Sequence, residues 1–161
     1  MKTAELTGAL LDYWVARVEP KGGGMRWEQQ DRNWIGFGTI GSSPEFACWI
    51  VTDATSLHDL AALSAAHPSA RFYSPSTNWA QGGPIIEHEM IELIHDRDWR
   101  EDGEFGRVWQ GHDAGSGYWD GDTALIAAMR AYVASKFGDE VSDDDSATRA
   151  AAQGENNADQ A

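Results

Sequence analysis

The segment from Tyr73 to Pro84, with the sequence YSPSTNWAQGGP, holds the densest collection of hydrogen-bonding side chains in the chain. Two glycines accompany these hydroxyl, amide and indole groups, and a residue without a side chain lets backbone N–H groups approach a ligand closely. A helix beginning at Pro84 would add free N–H groups and a positive dipole end, which favour an anion. We therefore predict a ligand-binding loop, with Ser74, Ser76, Thr77, Asn78, Trp79, Gln81, Gly82 and Gly83 as site residues.

The alternative interpretation of this segment is a turn whose polar groups bond to one another, because Ser-Pro and Gly-Gly-Pro are common loop sequences. The glycines are not followed by the Lys and Ser/Thr of a P-loop, and the chain contains no strand–GxGxxG–helix unit. The ligand expected from the residues is small, polar and anionic or nucleotide-like. No cofactor is predicted.

A second set of chemically able residues is His88, Glu92 and His95, at helical spacings of four and seven. The order HEMIE narrowly misses the HExxH zinc motif, since the second histidine is displaced to position 95. If this segment becomes a strand, the two histidines point to opposite faces. We therefore expect solvated surface histidines and no metal site, which makes a metal-dependent hydrolase the least favoured function.

Other chemistry finds little support in the sequence. Asp113, Asp120 and Asp122 lie in a glycine-rich stretch that lacks the ligand spacing of a calcium loop. The single cysteine, Cys48, lies in an apolar run where a thiol is inert, and there is no GxSxG elbow. No catalytic residue is predicted, and an enzyme is not the favoured interpretation.

Composition limits the partners of this 161-residue chain. It has 26 acidic and 12 basic residues and a formal net charge of -14. Such a charge excludes duplex nucleic acid and anionic membranes as partners, because both are bound through Lys and Arg. One cysteine permits no intramolecular disulfide, and the start of the chain lacks the basic and apolar regions of a signal peptide. A cytosolic location is expected.

The elements that would position the loop follow from the apolar periodicity. We predict an N-terminal helix capped by Thr3, strands at 25–29, 34–40 and 46–51, and a short helix that opens with a Ser56–Asp59 capping box. A strand at 71–73, a helix from Pro84 running into a strand by position 94, and a strand at 105–110 come next. A C-terminal helix capped by Asp122 or Thr123 ends at Gly138. The run at 46–51 is apolar on both faces, which indicates a central strand.

The fold class predicted from these elements is α+β, with helices near both ends packed on a small, mainly antiparallel sheet. From Gly138 onward the chain carries seven acidic residues and one basic residue. That stretch buries too little apolar area to offset the entropy of ordering. The predicted organisation is one globular domain over 1–138 and a disordered acidic tail over 139–161.

Three stretches together resemble the NinX-like family of small phage and prophage proteins. They are LTGALLDYWVA from Leu6, YSPSTNWAQGGPIIE from Tyr73 and LIAAMRAYVASKFGDEV from Leu125. Between Pro20 and Pro68 no family pattern aligns, so an insertion or diverged region is expected there. Position 88 is His where the family pattern suggests a basic residue such as Arg. The resemblance implies a phage or prophage origin in a bacterial cytoplasm, and it implies no particular chemistry.

The leading hypothesis is a phage accessory protein that binds a small polar ligand at the predicted loop. One use of such binding would be to sequester a host signalling nucleotide. The alternative is an acidic interaction protein that inhibits a host factor, through charge that imitates nucleic acid. The sequence leaves the oligomeric state and the identity of ligand or partner open.

Overall fold

Two β-sheets and four α-helices make up the regular structure of the described chain. The computed structural model describes residues 1–20, 24–39, 46–99, 105–113, 115 and 117–142. The helices are α1 (Gly8–Val18), α2 (Leu57–Ala66), α3 (Trp79–His88) and α4 (Ala124–Phe137), and a short 3-10 turn covers Thr3–Glu5. The strands are β1 (Arg26–Gln30), β2 (Asn33–Thr39), β3 (Phe46–Thr52), β4 (Ala70–Phe72), β5 (Glu92–Trp99), β6 (Phe105–Asp113) and β7 (Gly117–Gly121).

The first sheet has the strand order β1-β2-β3-β4. Its first three strands are antiparallel, whereas β4 runs parallel to β3 after a crossover through α2. The interior place of β3 confirms the central strand that its apolar sequence predicted. Ser56 caps α2 as expected, since its Oγ accepts the Asp59 N–H at 3.1 Å.

The second sheet is an antiparallel meander, β5-β6-β7. The α+β class and the mainly antiparallel pairing are thus confirmed, and the strands divide between two sheets. α4 lies directly on β6 and β7, and a Cβ atom at Gly111 would stand 2.4 Å from the backbone oxygen of Ala127. Glycine at this position therefore allows the close approach of helix to sheet.

The main core lies between α1, α4 and the second sheet. It includes Leu11, Trp14, Met129, Tyr132 and Trp119. Trp119 lies on β7, a strand that is absent from the predicted elements. A smaller core of Ile35, Cys48 and Ile50 lies within the first sheet.

The N-terminus of α1 differs from the prediction. Thr3 is not its cap: the helix begins at Gly8, and the Thr3 Oγ1 donates to the Gly138 oxygen at 2.8 Å. The residue at the N-cap position, Thr7, makes no side-chain cap bond. Asp53 supplies the acceptor instead, since its Oδ1 receives the Ala9 N–H at 2.7 Å.

The chain beyond α4 returns to the N-terminus. Gly138 ends the helix with a φ of 85°, and Glu140 then forms an isolated β-bridge with Lys2. Val141 is buried, and its oxygen accepts the N-terminal amine at 2.9 Å. Contacts of the body therefore continue through Val141. The predicted tail concerns mainly residues 143–161, which lie outside the described residues.

Within the described residues, no helix is both long enough and apolar enough to cross a membrane.

Candidate functional site

The predicted loop is a turn followed directly by a helix. α3 begins at Trp79, and Asn78 caps it by accepting the Ala80 N–H at 2.9 Å. The prediction that the helix begins at Pro84 is therefore wrong, because this proline lies inside α3. The anion-binding N-terminus expected at Pro84 does not exist. Asn78 acts as a cap in this structure, which satisfies one of the first free amides of α3.

Several of the polar groups in this segment bond to one another. The Gln81 Oε1 accepts the Ser74 N–H at 2.6 Å, and its Nε2 donates to the Phe72 oxygen at 2.9 Å. The Thr77 Oγ1 donates to the Ser74 oxygen at a longer 3.4 Å. Much of the donor density seen in the sequence thus holds the turn together, as the alternative interpretation described.

The two glycines of the segment have different surroundings. A Cβ atom on Gly82 would stand 2.4 Å from the Pro75 oxygen and 2.7 Å from Leu125 Cδ2, so this glycine allows α3 to approach the turn and α4. At Gly83 the nearest atom would be 3.9 Å away, in the exposed Trp79. The close packing of α3 against the turn and α4 accounts for the glycine at position 82, so a ligand is not needed to explain it.

One carboxyl group from α1 joins the segment to the rest of the molecule. Asp12 is 4 % exposed, and its Oδ1 accepts the Ser76 N–H at 2.7 Å. Ser76 is itself buried, and its hydroxyl reaches no hydrogen-bond partner among the described residues. A carboxylate held in the interior is costly, which marks Asp12 as unusual.

Burial raises the pKa of Asp12 to about 6. The backbone N–H and the nearby hydroxyl of Ser76 act in the opposite direction, whereas the negative charge of Asp53 raises the pKa further. A carboxyl group with a pKa near neutrality changes its protonation state in the physiological range. It can accept a hydrogen bond from a ligand when ionised and donate one when protonated.

Asp12 and Asp53 line a cleft of about 390 Å³. The cleft lies among the start of α1, the end of β3, α2 and the Tyr73–Thr77 turn. Its apolar wall includes Ile50, Leu60 and Phe72. A cavity with mostly apolar walls, a few polar groups and one carboxyl of perturbed pKa is the usual form of a small-molecule site.

The predicted site residues divide among different surroundings. Ser74 and Thr77 line the Asp12 cleft. A smaller cavity of about 240 Å³ beside the start of α4 is lined by Ser76, Thr77 and Trp79. Gln81 lines a third cavity. The structure does not bring all eight residues to one ligand-sized space. Asp12 and Asp53 were not predicted. The available signal was a single acid, Asp12, among the apolar residues of the first helix.

The histidine set is split between two elements. α3 ends at His88, and Glu92 and His95 lie on β5, so the continuous helix required for the near-zinc motif is not present. The His88 Nδ1 instead contacts the Glu89 carboxylate at 2.9 Å. No group of three His, Cys, Asp or Glu residues in the described ranges could hold a metal ion.

The fold and the clefts define an α+β protein whose central turn-helix segment is surrounded by ligand-sized cavities. The chain belongs to the family described as Bacteriophage P22, NinX, whose family model matches residues 2–136. That matched span includes the 20–68 region. No relative among the curated proteins matches the chain. Family membership identifies a phage accessory protein.

Proposed function

We propose that this phage accessory protein binds a small polar ligand in the cleft lined by Asp12 and Asp53. The observation that carries the proposal is the buried Asp12 carboxyl in the lining of a cavity of about 390 Å³. Ser74 and Thr77 bring the predicted loop to the same cleft. Sequestering such a ligand during infection is the use that fits an accessory protein.

The negative charge of the carboxyl groups in the cleft limits the kind of ligand that it can bind. Two carboxyl groups repel an anion, and one of the free amides at the start of α1, the Ala9 N–H, already donates to the Asp53 carboxylate at 2.7 Å. The cleft therefore favours a neutral or cationic molecule that presents N–H or O–H donors. This differs from the anionic ligand expected from the loop sequence, because the cleft beside that loop is also lined by two acids, Asp12 from α1 and Asp53 directly after β3.

An aromatic pair gives the cleft a spectroscopic reporter. Tyr73 lines the cleft and stacks on Trp49, with ring centroids 4.5 Å apart. A ligand that shifts the Tyr73 ring changes the surroundings of the indole. Trp fluorescence of the full chain should therefore respond to occupancy, although other tryptophans contribute to the total signal.

The test is a titration of the full chain with adenosine, cytidine, glucosamine and spermidine, followed by fluorescence and calorimetry at pH 7.5. We expect saturable heat with at least one of these donor-bearing compounds. The Asp12→Asn variant should weaken that binding at least tenfold, because the amide loses the negative charge that a donor or cation meets. The same substitution at the exposed Asp59 is the matched control and should leave affinity unchanged. Absence of binding by the wild-type protein to all four compounds would reject the proposal.

The host-factor hypothesis rests on the total charge of -14, and no contact within the described residues adds support to it. If a host protein bound the full chain and a chain ending at 142 equally well, residues 143–161 would not contribute to the interaction that this hypothesis requires.

A further inference from the structure

One face of the second sheet has no covering layer among the described residues. α4 lies on the opposite face, where a Cβ atom at Gly111 would meet the backbone of Ala127. Side chains alternate between the two faces along a strand, so Gln110 and His112, the neighbours of Gly111, point away from α4. No other described helix has more than marginal contact with this sheet.

The strand register defines which residues share this uncovered face. Residues that lie directly opposite one another in antiparallel strands point to the same side of the sheet. The outer face, as we call it, consists of two cross-strand rows: Glu92, His112 and Tyr118, then Ile94, Gln110 and Asp120.

An aromatic pair lies in the first of these rows. The rings of His112 and Tyr118 are stacked, with centroids 4.6 Å apart and an angle of 21° between their planes. Tyr118 is nevertheless 60 % exposed, so much of its ring is open to solvent. Aromatic residues are enriched where proteins meet partners, because the ring offers a large rigid surface for stacking.

The charged side chains of the outer face are acidic. The Glu92 side chain is 64 % exposed, and its Oε2 lies 3.7 Å from the His112 Nδ1. Asp120 is also exposed, and its Oδ1 accepts the Gln110 amide at 3.0 Å. The six positions include no Lys or Arg.

One cation lies at the edge of this face. The Arg130 guanidinium donates to the backbone oxygens of Leu6 and Asp120, at 2.9 and 2.6 Å, and its charge interacts with that of Asp120. Glu92 pairs with no Lys or Arg in the part of the chain that the structure describes. The first row therefore keeps its negative charge beside an open aromatic ring.

This charge disfavours several occupants. Residues 143–161 contain five acidic residues and one basic residue, so the end of the chain is repelled. A second copy docked through the same face would bring equivalent carboxylates together across a two-fold axis. Nucleic acid needs cations for its phosphates, and the six positions provide none.

We propose that the outer face is a docking surface for an arginine-bearing segment of another protein. A guanidinium is planar and cationic, so it stacks on the open Tyr118 ring and pairs with the Glu92 carboxylate of the same row. The net charge of -14 attracts a basic segment from a distance. None of the six residues lines the Asp12 cleft, so this surface is independent of the ligand proposal.

The experiment is an NMR titration of the full, ¹⁵N-labelled chain with the capped peptide acetyl-Gly-Arg-Gly-Arg-Gly-amide at physiological ionic strength. We expect saturable shifts of the amide signals of the outer face. The same peptide with citrulline in place of arginine, which keeps the shape and loses the charge, should bind at least fivefold more weakly. Shifts confined to residues 143–161, equal binding of the citrulline peptide, or no saturable shift on the outer face would overturn the proposal.

Single-stranded nucleic acid is the competing occupant of a sheet face with an exposed aromatic ring. A thymidine decanucleotide should leave the signals of the outer face unchanged, because the acids repel its phosphates. Saturable binding of the decanucleotide to this face would overturn the proposal in favour of a nucleic-acid surface.

Variants separate the outer face from general attraction to an acidic chain. Glu92→Gln should weaken binding of the arginine peptide at least threefold. Glu87→Gln, at an exposed position on α3, makes the same change in net charge and is the matched control that should leave affinity unchanged. Tyr118→Leu should also weaken binding at least threefold, with a circular dichroism melt to verify the fold. Equal weakening by the two glutamate variants would overturn the proposal.

Discussion

At the scale of single residues, Asp12 links two distant parts of the chain. Its carboxyl connects α1 to the turn before α3 through the Ser76 N–H, across 64 positions of sequence. The same burial that makes this bond rigid raises the pKa of the carboxyl to about 6.

The Asp12→Asn variant should be more stable than the wild type at pH 8. The folded-state pKa of Asp12 is raised above its ordinary value of 3.8. The wild type therefore loses stability as pH rises from about 4 to about 6, and the loss is complete above the folded pKa. A shift of this size corresponds to about 3 kcal/mol at most, and roughly 1 to 1.5 kcal/mol of it develops between pH 5 and pH 8.

Urea unfolding of both proteins at pH 5 and pH 8 measures this effect. The difference in free energy of unfolding between variant and wild type should grow with pH, because Asn does not ionise while its oxygen can still accept the Ser76 N–H. A difference that is constant with pH would show that Asp12 titrates normally.

Gly82 and Gly83 should respond in opposite ways to alanine. Gly82→Ala should cost about 2 kcal/mol, because the new methyl group meets the Pro75 oxygen, which belongs to the backbone and cannot rotate away. Gly83→Ala should be neutral or stabilise by up to about 1 kcal/mol, since alanine favours the helix and has room there. Thermal unfolding measures the melting temperatures of both variants, and each variant is the control for the other. Similar melting temperatures would contradict the packing role of Gly82.

At the scale of elements, the start of α1 is held by a distant side chain. Asp53, directly after β3, accepts the Ala9 N–H, while Thr7 at the N-cap position makes no such bond. The cap therefore fixes the first helix to the end of a central strand. It also places a carboxylate at the cleft that we propose as the ligand site.

Replacing Asp53 with alanine should lower the free energy of unfolding by about 1 kcal/mol, the usual cost of losing a cap. Thr7→Ala should cost only a few tenths of that amount, because its side chain caps nothing in this structure. Chemical denaturation of the two variants at pH 7 distinguishes them. Equal losses, or a larger loss in Thr7→Ala, would show that the local threonine provides the cap.

At the scale of the whole molecule, the two ends of the described chain are joined. The Thr3 N–H donates to the Asp139 oxygen at 2.8 Å, Lys2 pairs with Glu140, and Val141 is buried against the main core. These contacts follow the last helix and lie beyond the Gly138 boundary suggested by composition. The short apolar residue Val141 is the one position there whose type indicates burial.

A chain that ends after Ser142 should unfold with the same free energy as the full chain. A chain that ends after Gly138 should be less stable by about 2 kcal/mol or more, because Val141 and the backbone bonds to residues 1–3 are lost. Circular dichroism during urea titration measures both. Equal stability of the two truncations would place the end of the folded body at Gly138, as the sequence predicted.

Local sequence determined much of the secondary structure. The Ser56–Asp59 box, the apolar run of β3 and the α4 stripe between Thr123 and Gly138 each contain their own start, stop or burial signal within a few residues. The α+β class follows from the order of these elements, and three resembling stretches sufficed for the family. No such local signal marks β7, whose short strand contains Gly and Asp and is absent from the predicted elements.

Only the tertiary structure decided which polar groups bond to one another and which line the cavities. The sequence alone suggests that the polar side chains of the 74–83 segment are free to bind a ligand. In the structure, Gln81 bonds to the Ser74 N–H and Asn78 caps α3. Among the described residues, the buried hydroxyls of Ser76 and Tyr73 have no hydrogen-bond partner, and the acids near them, Asp12 and Glu19, come from α1 or its end. Burial and long-range pairing depend on elements far apart in the chain, so local patterns indicate which residues are polar but not which remain free to bind.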